Sequence, residues 1–393
     1  MKTKLIQVKQ YASTNYKIGV HKQMIKPHNQ KPLLIVGGGL IGLSLAHELA
    51  GKGKKVEVIS RQRSESAGFV AAGMLAPHAE GLTGNLLKLG QLSLNRIPQW
   101  VHTIESSSGM KCGLRNCGII VPFLNEQERD SYPTACFGQK LSRIEIEQEA
   151  PGIANKWRCG ILFTQDGQID NRRQLMRALE RSCVELGVSF KEGSEVLKII
   201  HKKQKLEGIE IKNEEGEIKY LKGDEAILCC GAWSKNLFQD IPIFPVKGQM
   251  LSIQGPKDAL KRVIFGPGTY LVPREDGLVI VGATSEQEAG FKQGLTPIGQ
   301  KQLKQGLNDI LPCASNWPHM ERWWGFRPST PDQLPIIGKH PIKGLWVATG
   351  HYRNGVLLAA ITSHLITKSI CKENFTHAEN LILEEFSINR FKN

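Results

Sequence analysis

Residues 32–60 read PLLIVGGGLIGLSLAHELAGKGKKVEVIS, an apolar strand, a glycine turn, an amphipathic helix and a second strand in close succession. That order opens a doubly wound dinucleotide-binding fold. Gly37 permits the tight turn, Gly39 lets a pyrophosphate approach the backbone, and Gly42 lets helix and strand pack closely. The first helical turn then offers its N–H groups and partial positive charge to the phosphates. A glycine-rich turn with a purely structural role is the alternative. The strand before this turn and the helix after it favour dinucleotide binding.

At the end of the second strand such folds usually hold an acid against a ribose hydroxyl. Ser60 stands there instead, followed by Arg61, and a hydroxyl is a weaker acceptor than a carboxylate. Next comes SAGFVAAGMLAP, 66–77, poor in charge and too rich in glycine for a stable core helix. Its small residues suit a backbone laid against a flat ring, and they suit a tight structural crossing equally. Two later segments return to the same pattern: DEAILCCGAWS, 224–234, and LWVATGHYRNGVLLAAITSHLI, 345–366, each a strand running into a glycine turn. Glu195 and Val196 lie on a strand able to offer backbone groups to an adenine.

The expected architecture is α/β. A doubly wound, Rossmann-like domain is assembled from 32–90, 160–240 and 325–370. The alternating runs GQMLSI and YLVPREDGLVIVGAT place an antiparallel-sheet α+β substrate domain at 91–159 and 241–324. Residues 371–393 are read as a C-terminal tail.

A chain of 393 residues is long enough for two domains and a large cofactor. Its nine cysteines are scattered, without a CxxC pair or a histidine set at metal-ligand spacing, which points to reduced thiols in a cytoplasmic compartment and to no metal centre. Of the net charge of +14, seven lysines of residues 1–31 supply half, leaving +7 for the other 362 residues with no basic run interleaved with aromatics. That distribution argues against nucleic acid. The basic arm lacks the apolar core of a secretory signal and the arginines of a transit peptide. It is expected to be a disordered extension, and Met24 is an alternative start. The apolar run 356–366 is too short to span a bilayer, so no membrane partner is expected.

The stretch RWWGFRPSTPDQLPIIG, 322–338, sets Arg327 among aromatics and prolines. Two partners fit its rigid fork of donors: the carboxylate of a bound substrate, or an internal acid such as Asp332.

With these pieces in hand, the chain resembles the FAD-dependent D-amino-acid oxidase superfamily, and within it the glycine oxidase branch tied to thiamine biosynthesis. GGGLIGLSLAHELA, AAGMLAPHAE, IDNRRQLMRAL, CCGAWS, PVKGQML, YLVPREDGLVIVGAT, GFRPSTPDQLPIIG and GHYRNGVLLA carry the resemblance, from about residue 32 to about 370. It implies flavin contacts at Leu40, Ile41, Ser60, Arg61, Ala67, Gly68, Ala72, Gly73, Met74 and Val196. A further run of implied contacts is His351, Tyr352, Arg353, Asn354, Gly355, Val356 and Leu357. It also implies that Arg327 grips a substrate carboxylate while Arg353 and Tyr270 complete the pocket. Ala67 and Gly68 replace hydroxyl residues common in relatives, which removes a side-chain bond to the pyrophosphate. Ser285 replaces larger side chains near the substrate.

In the similar monomeric sarcosine oxidases a cysteine tethers the flavin six positions before the proline of the TPD-like stretch. Gly325 stands there here, so FAD is expected to be non-covalent. The implied activity is oxidation of glycine, sarcosine or small D-amino acids to the imine. O2 becomes H2O2, and the product supplies iminoglycine for a thiazole. Hydride transfer to flavin requires no catalytic acid or base. Implied partners are a small amino acid, O2, a thiazole synthase and further copies of the chain. Two alternatives stay open: a flavin dehydrogenase using a non-oxygen acceptor, and a tRNA-uridine-modification oxidase module.

Overall fold

The computed structural model describes residues 31–392. The basic arm and Met24 therefore lie outside the described residues. Six strands form one sheet in the spatial order Ile336–Lys339, Leu345–Thr349, Ala226–Leu228, Leu33–Val36, Val56–Ile59, Ser189–Lys191. Five run parallel, and Ile336–Lys339 closes one edge antiparallel. Neighbours in this sheet come from distant parts of the chain, as the discontinuous reading requires: Val36 pairs with both Ile59 and Leu228.

Strand Leu33–Val36 is buried at every residue, and its alternating side chains serve two layers. Leu33 and Ile35 join a helical layer with Leu43 and Leu49 of helix Leu40–Gly51, Trp100 and Ile104 of helix Gly84–Ser108, and Leu357 and Ile361 of helix Gly355–Cys371. Leu34 and Val36 pack instead against Ile199, Leu206, Ile209 and Ile211. These come from a three-stranded antiparallel sheet, Glu195–Lys202, Lys205–Lys212 and Ile218–Lys222. Helices cover one face of the parallel sheet and a small sheet covers the other.

A second sheet has eight strands in the order His319–Ser329, Phe244–Gln254, Leu278–Gly282, Thr269–Pro273, Val263–Gly266, Ile119–Phe123, Cys159–Phe163, Gln139–Leu141. All neighbours are antiparallel except Val263–Gly266 with Ile119–Phe123. One face packs on Leu303, Leu307 and Ile310 of helix Pro297–Ile310 and on Ile146. The other meets Val70, Ala72, Met74, Ala76 and Ala79 of the small-residue run.

Four of the expected boundaries move. Helix Gly84–Ser108 crosses 90/91, and its Leu89, Ile97, Trp100 and Ile104 all pack with the six-stranded sheet. Strands Cys159–Phe163 and His319–Ser329 belong wholly to the eight-stranded sheet, so the cuts at 159/160 and 324/325 each split a strand. The expected tail after 371 carries helix His377–Glu385 with a complete capping box on Thr376. Ile382, Phe386 and Ile388 there are buried in the core, so apolar burial fixes this segment.

Candidate active site

The carboxyl ends of the parallel strands open into one long cleft: Val36, Ile59, Cys229 and Thr349 border it at the edge of that sheet. This is where open α/β sheets bind ligands. Met250, Phe265, Tyr270 and Arg327 of the eight-stranded sheet form the opposite wall. The lining of the cleft takes in the glycine turn at 37–39, the small-residue run at 66–74, Tyr270, Arg327 and Arg353, so a single cleft joins the phosphate turn to the arginines, the arrangement that a dinucleotide with a small second ligand needs.

The phosphate end is built from backbone. Gly37 has φ of 111°, and a Cβ there would sit 2.4 Å from the carbonyl oxygen of Cys229. Gly39 caps helix Leu40–Gly51 without any side-chain bond to the first turn, which leaves those N–H groups facing the cleft. Helix Gly355–Cys371 likewise starts at Asn354 with no side-chain cap. Two helix N-termini thus open toward one cavity and favour an anion there. Ser66 Oγ and Arg63 Nη1 are both buried without a hydrogen-bond partner among the described residues, and both residues line the cleft. The Ser66 hydroxyl is thus free for a phosphate where Ala67 and Gly68 have none. A pyrophosphate-bearing flavin fits this donor set.

Most expected flavin residues line the cleft: Gly37, Gly39, Leu40, Ile41, Ser60, Arg61, Ala67, Gly68, Ala72, Gly73, Met74, Val196, His351, Tyr352, Arg353, Gly355 and Val356. Three do not. Gly42 packs its helix on the strand, since a Cβ there would lie 1.9 Å from the Gly37 carbonyl oxygen. Asn354 is the buried N-cap, and Leu357 is buried in the helical layer. Arg61 is engaged by Glu65 at 2.5 Å and Glu195 at 3.7 Å, with its guanidinium 5.5 Å from the Trp233 ring. His351 is held neutral by burial, which lowers its pKa to about 3, and its ring bonds Thr362 at 3.0 Å. Its contribution to the cleft is therefore its backbone.

Alternation along His319–Ser329 turns Gly325 and Arg327 to the cleft side. In the paired strand Gly248 stands opposite Gly325 and Val246 opposite Arg327. Gly248 leaves room for the guanidinium: a Cβ there would sit 2.3 Å from Arg327 Nη1. Arg327 donates one hydrogen bond, from Nη1 to the Thr284 carbonyl at 3.1 Å, and makes no ion pair among the described residues. The internal acid considered above is taken elsewhere, as Asp332 binds Arg390 at 2.8 Å. Tyr270 faces Arg327, and burial raises its phenol above the usual range against the opposing pull of Arg327 and Arg353. Arg353 is exposed at the mouth. It follows Tyr352, whose φ of 45° places a non-glycine residue in the left-handed region, a strain typical of functional turns. Ser285 Oγ lies 3.4 Å from the Tyr352 hydroxyl.

One acid in the cleft was not anticipated. Glu80 ends the small-residue segment and faces Arg327 and Arg353. Burial raises its carboxyl, the two arginines oppose that, and the pKa is pushed up to about 7. The sole signal in the sequence is an acid closing an otherwise uncharged run, a position that reads equally well as solvated surface.

Residues 33–369 match the FAD dependent oxidoreductase (DAO) family. The bifunctional protein ThiO/ThiG of Synechocystis sp. is 38% identical over 367 residues, covering 91% of this chain and 54% of that protein. The chain therefore spans about half the length of such bifunctional relatives. A glycine oxidase of Pseudomonas aeruginosa is 28% identical, covering 85% of this chain and 93% of that one. The crystal structure of glycine oxidase from Geobacillus kaustophilus superposes with a TM-score of 0.82 at 27% identity, over 91% of this chain and 98% of that one. A cleft that fits a pyrophosphate at two uncapped helix ends, in a chain matched over nearly all its described length, has one source: the chain belongs to the FAD dependent oxidoreductase family.

Proposed function

We propose that the protein oxidises glycine, and with it sarcosine and small D-amino acids, to the imine, and so supplies iminoglycine for thiazole formation in thiamine biosynthesis. The observation that carries this is Arg327, a half-buried guanidinium lining the cleft beside Tyr270, bonded to the Thr284 carbonyl and with no ion pair among the described residues. A planar fork so placed matches a carboxylate bidentately, and low local polarity strengthens the pair. The glycine oxidase relatives support the choice of a small amine.

FAD, when bound, supplies the two-electron acceptor and hands those electrons to O2 to give H2O2. The chain's residues do the positioning. Arg327 holds the substrate carboxylate, Tyr270 keeps its proton and donates to the same group, and Arg353 at the mouth attracts the incoming anion. The walls of Met250 and Phe265 exclude water from the reacting carbon. The test is anaerobic bleaching of the yellow protein by glycine, with peroxide release in air. Bleaching without peroxide would replace the oxidase by a dehydrogenase with another acceptor.

FAD is held non-covalently in this reading. Gly325 lines the cleft and offers no thiol, and the two cleft cysteines are protonated, burial pushing Cys229 well up and Cys230 to about 12. Acid precipitation should leave a white pellet and a yellow supernatant, whereas a yellow pellet contradicts the assignment.

Gly248→Ala should raise KM for glycine by about tenfold with FAD retained. The three atoms nearest its Cβ are all in the flexible guanidinium of Arg327, so a loss of one good hydrogen bond, about 1.4 kcal/mol, is the scale. Steady-state kinetics beside the absorbance at 450 nm checks both halves.

We also propose a cytoplasmic, homo-oligomeric enzyme that works with a thiazole synthase. All nine cysteines are free, and no helix among the described residues is long and apolar enough to cross a membrane. Ile298 and Ile144, 82% and 72% exposed, suit a subunit contact, which light scattering of the purified protein will test. The two-part names of the bifunctional relatives support the partner.

A further inference from the structure

The turn that carries Glu80 is fixed far more firmly than a surface loop needs. Asp166, fully buried, accepts from the backbone N–H of Ala79 at 2.7 Å and of His78 at 3.1 Å, and from His78 Nδ1 at 2.6 Å. The Tyr132 hydroxyl donates to the Ala79 carbonyl at 2.7 Å, and Thr134 Oγ1 donates to the His78 carbonyl at 2.6 Å. Inside the turn Glu80 N bonds the Ala76 carbonyl at 2.9 Å and Gly81 N that of His78 at 2.9 Å. Burying a carboxylate is costly unless it is fully bonded, so Asp166 is retained at a real expense in desolvation. What this network holds in place is a carboxylate at the wall of the cleft. Glu80 itself has no hydrogen-bond donor among the described residues.

An amino acid brings two opposite charges into this space. Its carboxylate matches Arg327, and a carboxylate across the cleft matches its ammonium. We propose that Glu80 binds the substrate ammonium and takes its proton, delivering the neutral amine from which a hydride can leave. This rests on the amine-oxidase reading above. One N–H bond breaks and one O–H bond forms on Glu80, and the proton passes to solvent when product leaves. The electron pair stays on nitrogen and becomes the second bond of the imine as the Cα hydride departs.

The charge balance is suited to that task. Glu80 faces Arg327 from the eight-stranded sheet, Arg353 from the turn before helix Gly355–Cys371, and Tyr270 from strand Thr269–Pro273. Behind the turn lie Asp166, His78 and Tyr132. Asp166 and burial push the proton onto Glu80, and the arginines push it off. Neutralising Arg327 with the substrate carboxylate removes one of the two opposing charges, so binding itself makes Glu80 a stronger base. A base that titrates near neutrality is also the most effective at physiological pH.

The test is Glu80→Gln, with Glu80→Asp as the conservative control, on the FAD-loaded full chain. In the wild-type protein kcat/KM for glycine should fall as pH drops through about 7, where Glu80 takes up its proton. In the Gln variant kcat/KM at pH 7 should fall by about 10²-fold, the low end for general-base catalysis. The loss should shrink at pH 10, where solution supplies neutral amine, and the Asp variant should recover part of it. Acetate, which has the carboxylate and no amine, reports on position alone: its Kd, from the flavin absorbance, should be unchanged or lower in the Gln variant. The melting temperature should be higher than wild type at pH 8, where wild-type Glu80 is ionised at the cleft wall, and the difference should shrink as pH falls and vanish only below about pH 4, where the unfolded carboxyl is protonated as well. A Gln variant with the wild-type pH profile, or one that weakens glycine and acetate alike, overturns the proposal while leaving glycine oxidation intact. A wild-type protein that oxidises no small amine removes the functional reading and this one with it.

Discussion

Arg327→Ala is expected to lower kcat/KM for glycine by about 10²-fold or more, almost wholly through KM, while the protein stays yellow. The pair lost is a charge-assisted, bidentate one in a site walled by Met250, Phe265 and Tyr270, and truncating one partner of such a pair costs about 2–5 kcal/mol. Because the interaction forms on binding and persists through hydride transfer, its loss is a uniform binding loss and appears in KM. The fold should tolerate the change. Strand His319–Ser329 is registered along its length against Phe244–Gln254, and the side chain surrenders one hydrogen bond, to the Thr284 carbonyl. Arg327→Lys should recover only part of the affinity, since an ammonium restores the charge and not the two parallel bonds. Steady-state kinetics with glycine, beside the flavin-to-protein absorbance ratio, checks both statements. An unchanged KM would remove Arg327 from the substrate site. A colourless variant would instead make it a structural residue.

What was legible in the sequence was what is local. Glycine spacing and the strand and helix periods of residues 32–60 lie within about 30 residues and gave the phosphate turn directly; the small-residue run at 66–77 fitted a flat ring and a tight crossing equally, and the contacts at 351–357 came from the resemblance. Arg327 was legible because a guanidinium among aromatics is chemically odd. The layer opposite the helices was not: Glu195–Lys222 is rich in lysine and glutamate, and its few apolar residues, Ile199, Leu206, Ile209 and Ile211, are seen to face the core only when the strands are paired. The same holds for Glu80. Its place at the cleft wall depends on a turn whose His78 and Ala79 are held by Asp166, Tyr132 and Thr134, all more than 50 positions away, so its neighbourhood in the sequence shows an ordinary exposed acid.

The glycines of the first turn differ in what they do, and Gly42→Val separates packing from flavin contact. Gly42 does not touch the cleft, so a purely local view of cofactor binding leaves the variant intact. The structure leads to the opposite expectation. A Cβ at Gly42 would lie 1.9 Å from the Gly37 carbonyl oxygen and 3.3 Å from Ile35 Cγ2, and the first of these is backbone. Nor can Gly37 yield: its N–H bonds the Ile59 carbonyl at 2.8 Å, and its own Cβ position is occupied by the Cys229 carbonyl. The helix must therefore move away from the strand, carrying its first-turn N–H groups away from the phosphate position. Valine adds two methyl groups to that clash, against a core in which a single extra methylene group costs about 1–3 kcal/mol. The expected result is protein that melts at least several degrees lower and no longer retains FAD through gel filtration. Gly51→Ala is the internal control, at the other end of the same helix with nothing within 4 Å of its Cβ position. It should bind FAD normally and gain up to about 1 kcal/mol of helix propensity. Flavin content and thermal melts of the two variants side by side decide the matter. A yellow Gly42→Val protein with an unaltered melt would mean that helix and strand are not in the close contact on which the phosphate site depends.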